Sequence, residues 1–197
     1  MTAGAIEEVG TYCQISCGGC ACCSDLLAVV AERAGASEFA WAYNATKEWL
    51  RVDRAPLLAP GFMATVLAPP DEAVAEVVRR LGGRARIASD DGAREALTVL
   101  VAAHILRPSA EYNAVWTSPF LARAGGQRLA TYADGVSLKV KTEGGATTFT
   151  PYIEKTGAEG AAPARMAGGG SGRLDLGACK GAVVGVDQVL LPFALPS

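Results

Sequence analysis

The spacing of apolar positions divides this chain into a helical first half and a strand-rich second half. Ser24 stands before Asp25-Leu-Leu-Ala-Val-Val-Ala-Glu-Arg-Ala34, with an acid in the first turn, Arg33 in the last and Gly35 beyond, the order that predicts a capped helix closed by a left-handed residue. From Ser37 to Leu50 two readings stay open. Phe39, Trp41 and Tyr43 alternate with small residues as in an extended segment, whereas the alanines and the Lys47-Glu-Trp-Leu50 end favour helix. Pro56, Pro60 and Gly61 mark a loop, and Thr65 to Ala68 reads as a strand. Pro69 and Pro70 then suit a helix entrance, Asp71 and Glu72 complement its dipole, and the helix is predicted to reach Leu81 before Gly82-Gly83. A longer helix, capped by Ser89 or Asp90, is predicted to run to Leu106 ahead of Pro108; apolar nearly all round, it belongs at the centre.

Beyond Gln127 the period changes to two. Arg128 to Tyr132, the turn Ala133-Asp-Gly135, and Val136, Leu138 and Val140 alternating with Ser137, Lys139 and Lys141 predict a hairpin. A further strand is predicted at Thr147 to Pro151 and a mobile loop over the Gly, Ala and Pro tract 157–172. The last strands are predicted at Arg173 to Leu176 and Ala182 to Leu191. Helices first and strands second is the order of a segregated α+β architecture. The division expected is an irregular extension over 1–23, one domain over 24–192 and a short tail over 193–197.

Half of the 197 residues are hydrophobic, enough for one substantial core. Lys and Arg number 18 against 20 for Asp and Glu, so no large positive field exists to attract phosphate backbones or anionic lipid, and nucleic acid is not expected as a partner. No apolar run approaches the roughly 20 residues of a bilayer span, and the first residues lack a signal-peptide pattern. Five of the six cysteines, Cys13, Cys17, Cys20, Cys22 and Cys23, lie at the start and Cys179 lies near the end. An even count fits disulfides in an oxidising compartment, with Cys179 paired to the amino-terminal cluster and the ends stapled together. The rival reading, a thiolate cluster for Zn²⁺ or iron and sulfur in a reducing compartment, is weakened by adjacent Cys22 and Cys23, whose side chains diverge in extended backbone. Asn44-Ala-Thr46 is an N-glycosylation acceptor and agrees with export.

Two separated motifs resemble the fasciclin (FAS1) domain family: Thr65-Val-Leu-Ala-Pro-Pro-Asp-Glu-Ala-Val74 is similar to its first signature and Gly181-Ala-Val-Val-Gly-Val-Asp-Gln-Val-Leu-Leu-Pro192 to its second. Between them, Ala96 to Leu106 with His104, followed by Tyr112, is similar to the family's segment holding a histidine and a tyrosine. The resemblance implies a FAS1-like wedge of β-strands with helices packed in the N-terminal half, the two signatures adjacent, and binding rather than catalysis. Leu67-Ala-Pro-Pro70 departs from the usual Phe-Ala-Pro followed by Ser or Thr, and Gly185 stands where a histidine is common. No Asp-Ile integrin-type motif is present, and the Ala and Gly bias with the cysteine-rich start is closer to algal or bacterial members.

His104 is the single histidine, and inside an apolar helix it reads as a core residue. No Gly-x-Ser-x-Gly elbow accompanies it, so no hydrolase triad and no enzyme is expected. Gly168 to Gly172 lacks the Lys of a phosphate loop and reads as a linker. Phe39, Trp41, Tyr43 and Trp49, with His104 and Tyr112, are the candidate binding residues; no metal ligand set is expected with them. The leading expectation is a secreted, non-enzymatic adhesion or matrix domain whose signal peptide is absent from this sequence, with an extracellular protein or glycan as partner. The alternatives are a water-soluble carotenoid carrier, the one reading that would bring carotenoid as a cofactor, and a cytosolic cysteine-cluster metal protein.

Overall fold

A computed structural model describes residues 26–50, 63–111, 115–167 and 181–195. The six cysteines, Tyr112, the Ser24 cap, the linker at 168–172 and the strand predicted at 173–176 lie outside the described residues.

The first helix, α1, is α-helical over Leu26–Ala28 and continues as a π-helical turn over Val29–Arg33. Leu26, Leu27, Val29 and Val30 are buried, and Gly35 at φ 64° turns the chain as its position predicts. The open question over 37–50 resolves as helix: α2 spans Ser37–Thr46. Its 3.6-residue period separates the aromatics that a strand would have kept together. Phe39 and Tyr43, one turn apart, enter the core, while Trp41 points to the opposite side. The α2 entrance is capped from elsewhere in the chain, because Asp71 accepts from the Glu38 N–H at 2.8 Å and from the Ser37 hydroxyl at 2.7 Å. Asp71→Ala is therefore expected to cost about 1 kcal/mol in denaturant unfolding, the worth of a helix cap. An unchanged midpoint would show that water satisfies that helix end equally well.

Strand β1, Thr65–Ala68, leads through Pro69 and Pro70 into α3, Asp71–Arg80, which buries Val74, Val77 and Val78 at helical spacing. Gly82 and Gly83, both at positive φ, end α3 as predicted, but a further helix follows at once: α4, Gly83–Ser89, holding Ile87 in the core. Asp90 caps α5, Asp91–Ala103, by accepting from the Ala93 N–H at 2.7 Å. This helix stops three residues earlier than predicted. Ile105–Leu106 form β2, because β1 offers an antiparallel partner edge (Thr65 to Leu106, Val66 to Ile105) that a continued helix would leave bare.

After α6, Ser118–Arg123, come β3, Arg128–Ala130, β4, Val136–Glu143, and β5, Ala146–Ile153. The β4 to β5 turn is Gly144-Gly145 with both φ positive, the requirement of a type I′ hairpin. Part of the tract predicted as a mobile loop is ordered: β6, Ala158–Glu159, and β7, Ala164–Arg165, both pair with β5. Backbone pairing alone holds the exposed β6, whereas β7 also places Ala164 fully buried in the core. The final strand β8, Ala182–Gly185, lies parallel to β1 in the register Thr65 to Ala182 through Ala68 to Gly185. It is shorter than the predicted run to Leu191.

Strands β2, β1 and β8 form one sheet, and β3, β4, β5 and β6 the other, with β7 beside β5. The sheets meet at two corners, through the bridge Leu106 to Thr131 and the bridge Met166 to Val186. Between them lies a wedge-shaped core of Leu67, Leu106, Leu121, Leu129, Leu138, Phe149 and Val184. On the outer side of β1 and β8, Val66, Ala68 and Val183 face a second core with Phe39, Leu97, Leu100 and Val101 from the helices. The small sheet is thus a wall shared by two cores, which explains why its strands read as continuous apolar runs. The architecture is α+β, a wedge of strands with helices packed in the N-terminal half.

Candidate functional site

Two places bring chemistry-bearing side chains together. The first is His104, the C-cap of α5 and fully buried. Its Nε2 lies 2.9 Å from the Leu190 N, which can only donate, so Nε2 is the acceptor nitrogen. Nδ1 therefore carries the proton and donates to the Leu100 carbonyl at 2.9 Å. Phe39 packs against the ring at 5.5 Å between centroids. Burial pushes the imidazole pKa down to about 4, partly opposed by the bond to Leu100. A neutral ring with both nitrogens engaged and no solvent access has no proton to exchange with a substrate. What it does is join the middle landmark to the last one.

The second place is a groove between α2 and the corner of α4 and α5. Trp41, Asn44, Ala45 and Glu48 form one stripe of α2 and the turn after it, and Trp49 stands at its end. Arg84, Ile87 and Ala88 from α4 and Arg94 from α5 form the opposite wall, enclosing about 530 Å³. Each tryptophan is braced by a guanidinium, Arg84 at 4.3 Å over Trp41 and Arg94 at 5.2 Å over Trp49. Arg84 is fixed in turn by Glu38, which accepts from Nη2 through both oxygens at 2.6 and 2.8 Å. Arg94 donates to the Ile87 and Ala88 carbonyls at the end of α4 and pairs with Asp91 at 3.3 Å. Trp49 nevertheless keeps 42% of its surface exposed.

The candidate residues are therefore divided. Trp41, Trp49 and Asn44 meet in the groove, whereas Phe39, Tyr43 and His104 are in the core. The four aromatics do not form one wall. Sequence reading missed Arg84, Ile87 and Arg94, and no local signal marks them, since their place depends on α4 and α5 folding back against α2. Asn44 is exposed on α2, and the Thr46 hydroxyl of its acceptor triplet is buried, donating to the Ala42 carbonyl at 2.8 Å. Among the described residues no His, Cys, Asp and Glu group is arranged to hold a metal ion, and no helix is long and apolar enough to cross a membrane.

No protein-family model and no curated protein matches the chain. Among solved structures, that of a FAS1 domain pair from the insect cell adhesion molecule fasciclin I is similar over 80% of this chain at 16% identity, with a TM-score of 0.48. The chain covers 46% of that structure's length.

Proposed function

We propose that this chain is a non-enzymatic binding domain of the FAS1 type, exported and acting in adhesion or matrix association through its exposed surface. The observation that carries the reading is the meeting of the three sequence landmarks in space. The first and last signatures are neighbouring parallel strands, and His104 of the middle landmark accepts from Leu190 of the last. A scaffold fixed in this way presents surface rather than a reactive centre. Its only histidine is sealed as a neutral core residue. Disulfides among the cysteines, a glycan on Asn44 and an algal-type origin belong to the same proposal.

Surface coated with the full chain is expected to retain cells or extracellular matrix above an albumin-coated control, in a manner saturable by soluble chain. Equal retention on both surfaces would overturn the adhesion role. Peptide mass spectrometry of native material is expected to show three disulfides; free thiols with bound metal would favour the cytosolic metal-protein reading instead. The carotenoid reading has Trp41 and Trp49 as its remaining aromatic wall, and it requires the native protein to absorb visible light.

A further inference from the structure

We propose that the groove between α2 and the α4–α5 corner takes a pyranose ring of a neutral glycan, stacked on Trp49 with Trp41 as the back wall. This rests on the binding-domain reading and gives its ligand a chemical class. A pyranose has an apolar face of C–H groups and a rim of hydroxyls, so its site needs an open aromatic surface beside short-range donors and acceptors. Trp49 is the one tryptophan among the large exposed hydrophobic residues, and the guanidinium of Arg94 holds it in place. Glu48, exposed on the same stripe as Trp41, offers two acceptor oxygens to the hydroxyl rim. The space of about 530 Å³ lies within the range of small-ligand sites.

Charge selects among sugars. Both groove arginines are already committed, Arg84 to Glu38 and Arg94 to Asp91 and two carbonyls, while Glu48 adds a negative charge. A sulfated or uronic chain would meet no uncompensated cation there, so a neutral glycan is favoured. The arginine braces also fix the tryptophan rings before the ligand arrives, which lowers the ordering cost of binding. A glycan attached to Asn44 would bring its own first sugar to the same groove, and the test therefore uses chain without it.

The experiment is calorimetric titration of the full chain, made in a host that does not N-glycosylate, with chitotriose, cellotriose and a heparin hexasaccharide. At least one neutral probe is expected to bind saturably and more tightly than heparin. Trp49→Ala is expected to weaken that binding at least about tenfold, and Glu48→Ala, at an exposed rim position, by several-fold. Phe120→Ala, exposed on α6, is expected to leave it unchanged. No saturable binding of either neutral probe, tighter binding of heparin, or undiminished binding by folded Trp49→Ala and Glu48→Ala chains would overturn the assignment. Failure here with matrix retention intact removes the sugar alone; failure of both removes the binding-domain reading.

Discussion

Acidification from pH 6.5 to about 4 is expected to remove roughly 3 kcal/mol of folding stability through His104 alone. The folded imidazole resists protonation until about pH 4, whereas an unfolded one takes up its proton near 6.5. Between those values the unfolded state binds the extra proton. This contribution is therefore complete above 6.5, declines as pH falls through the window, and declines no further below about 4. Protonation of Nε2 also sets two donors, the ring and the Leu190 N–H, against each other. Denaturant unfolding across that range, compared with His104→Gln, isolates the effect, since the variant lacks the titrating group and shares every carboxylate. Parallel pH profiles for the two proteins would show that the ring is solvated or already charged. His104→Ala is expected to lose about 3 kcal/mol at neutral pH, from the cavity and the unpaired Leu190 N–H.

Phe149→Ala is expected to destabilise by about 3–5 kcal/mol, the range for truncating a fully buried phenylalanine. Phe149 stands on β5 opposite Val140 and fills the wedge with Leu129, Leu138 and Val184. Rigid β-sheet on both sides limits collapse into the space it leaves. Because Leu67 and Val184 line the wedge while Val66 and Val183 line the helical core, the same wall supports both. Helix and strand signals are therefore expected to be lost together in one denaturant transition, displaced to lower concentration in the variant. A loss below about 1 kcal/mol, or separate transitions, would contradict a jointly packed wall.

What the sequence made legible follows from how locally each element is specified. Strands β1 and β8, helix α3 and the β3 to β4 hairpin carry their own signals: unbroken apolar runs, a proline entrance with acids behind it, and Asp134-Gly135 between alternating residues. Elements specified by a partner were not legible. Ile105-Leu106 is as apolar as the helix before it, and only the edge of β1 makes it a strand. Ala158–Glu159 and Ala164–Arg165 have no apolar pattern and depend on the backbone of β5. The seven residues of α4 contribute one core side chain, Ile87, too few to show a period. The candidate groove was half legible for the same reason. Its tryptophans stand out in the sequence, but helical geometry sends Phe39 and Tyr43 inward, and the arginine wall comes from another part of the chain.

The pairing of residues 65–68 with 182–185 also orders events during synthesis. While the ribosome is still translating the intervening stretch, the outer edge of β1 has no neighbour and neither core can be sealed. Asn44 and Thr46, already emerged, would then belong to a nascent helix free to unwind, and the Thr46 hydroxyl would be accessible in a way the finished fold denies. A sugar-transferring enzyme acting at this triplet would have its opportunity until residues 182–185 emerge to pair with β1.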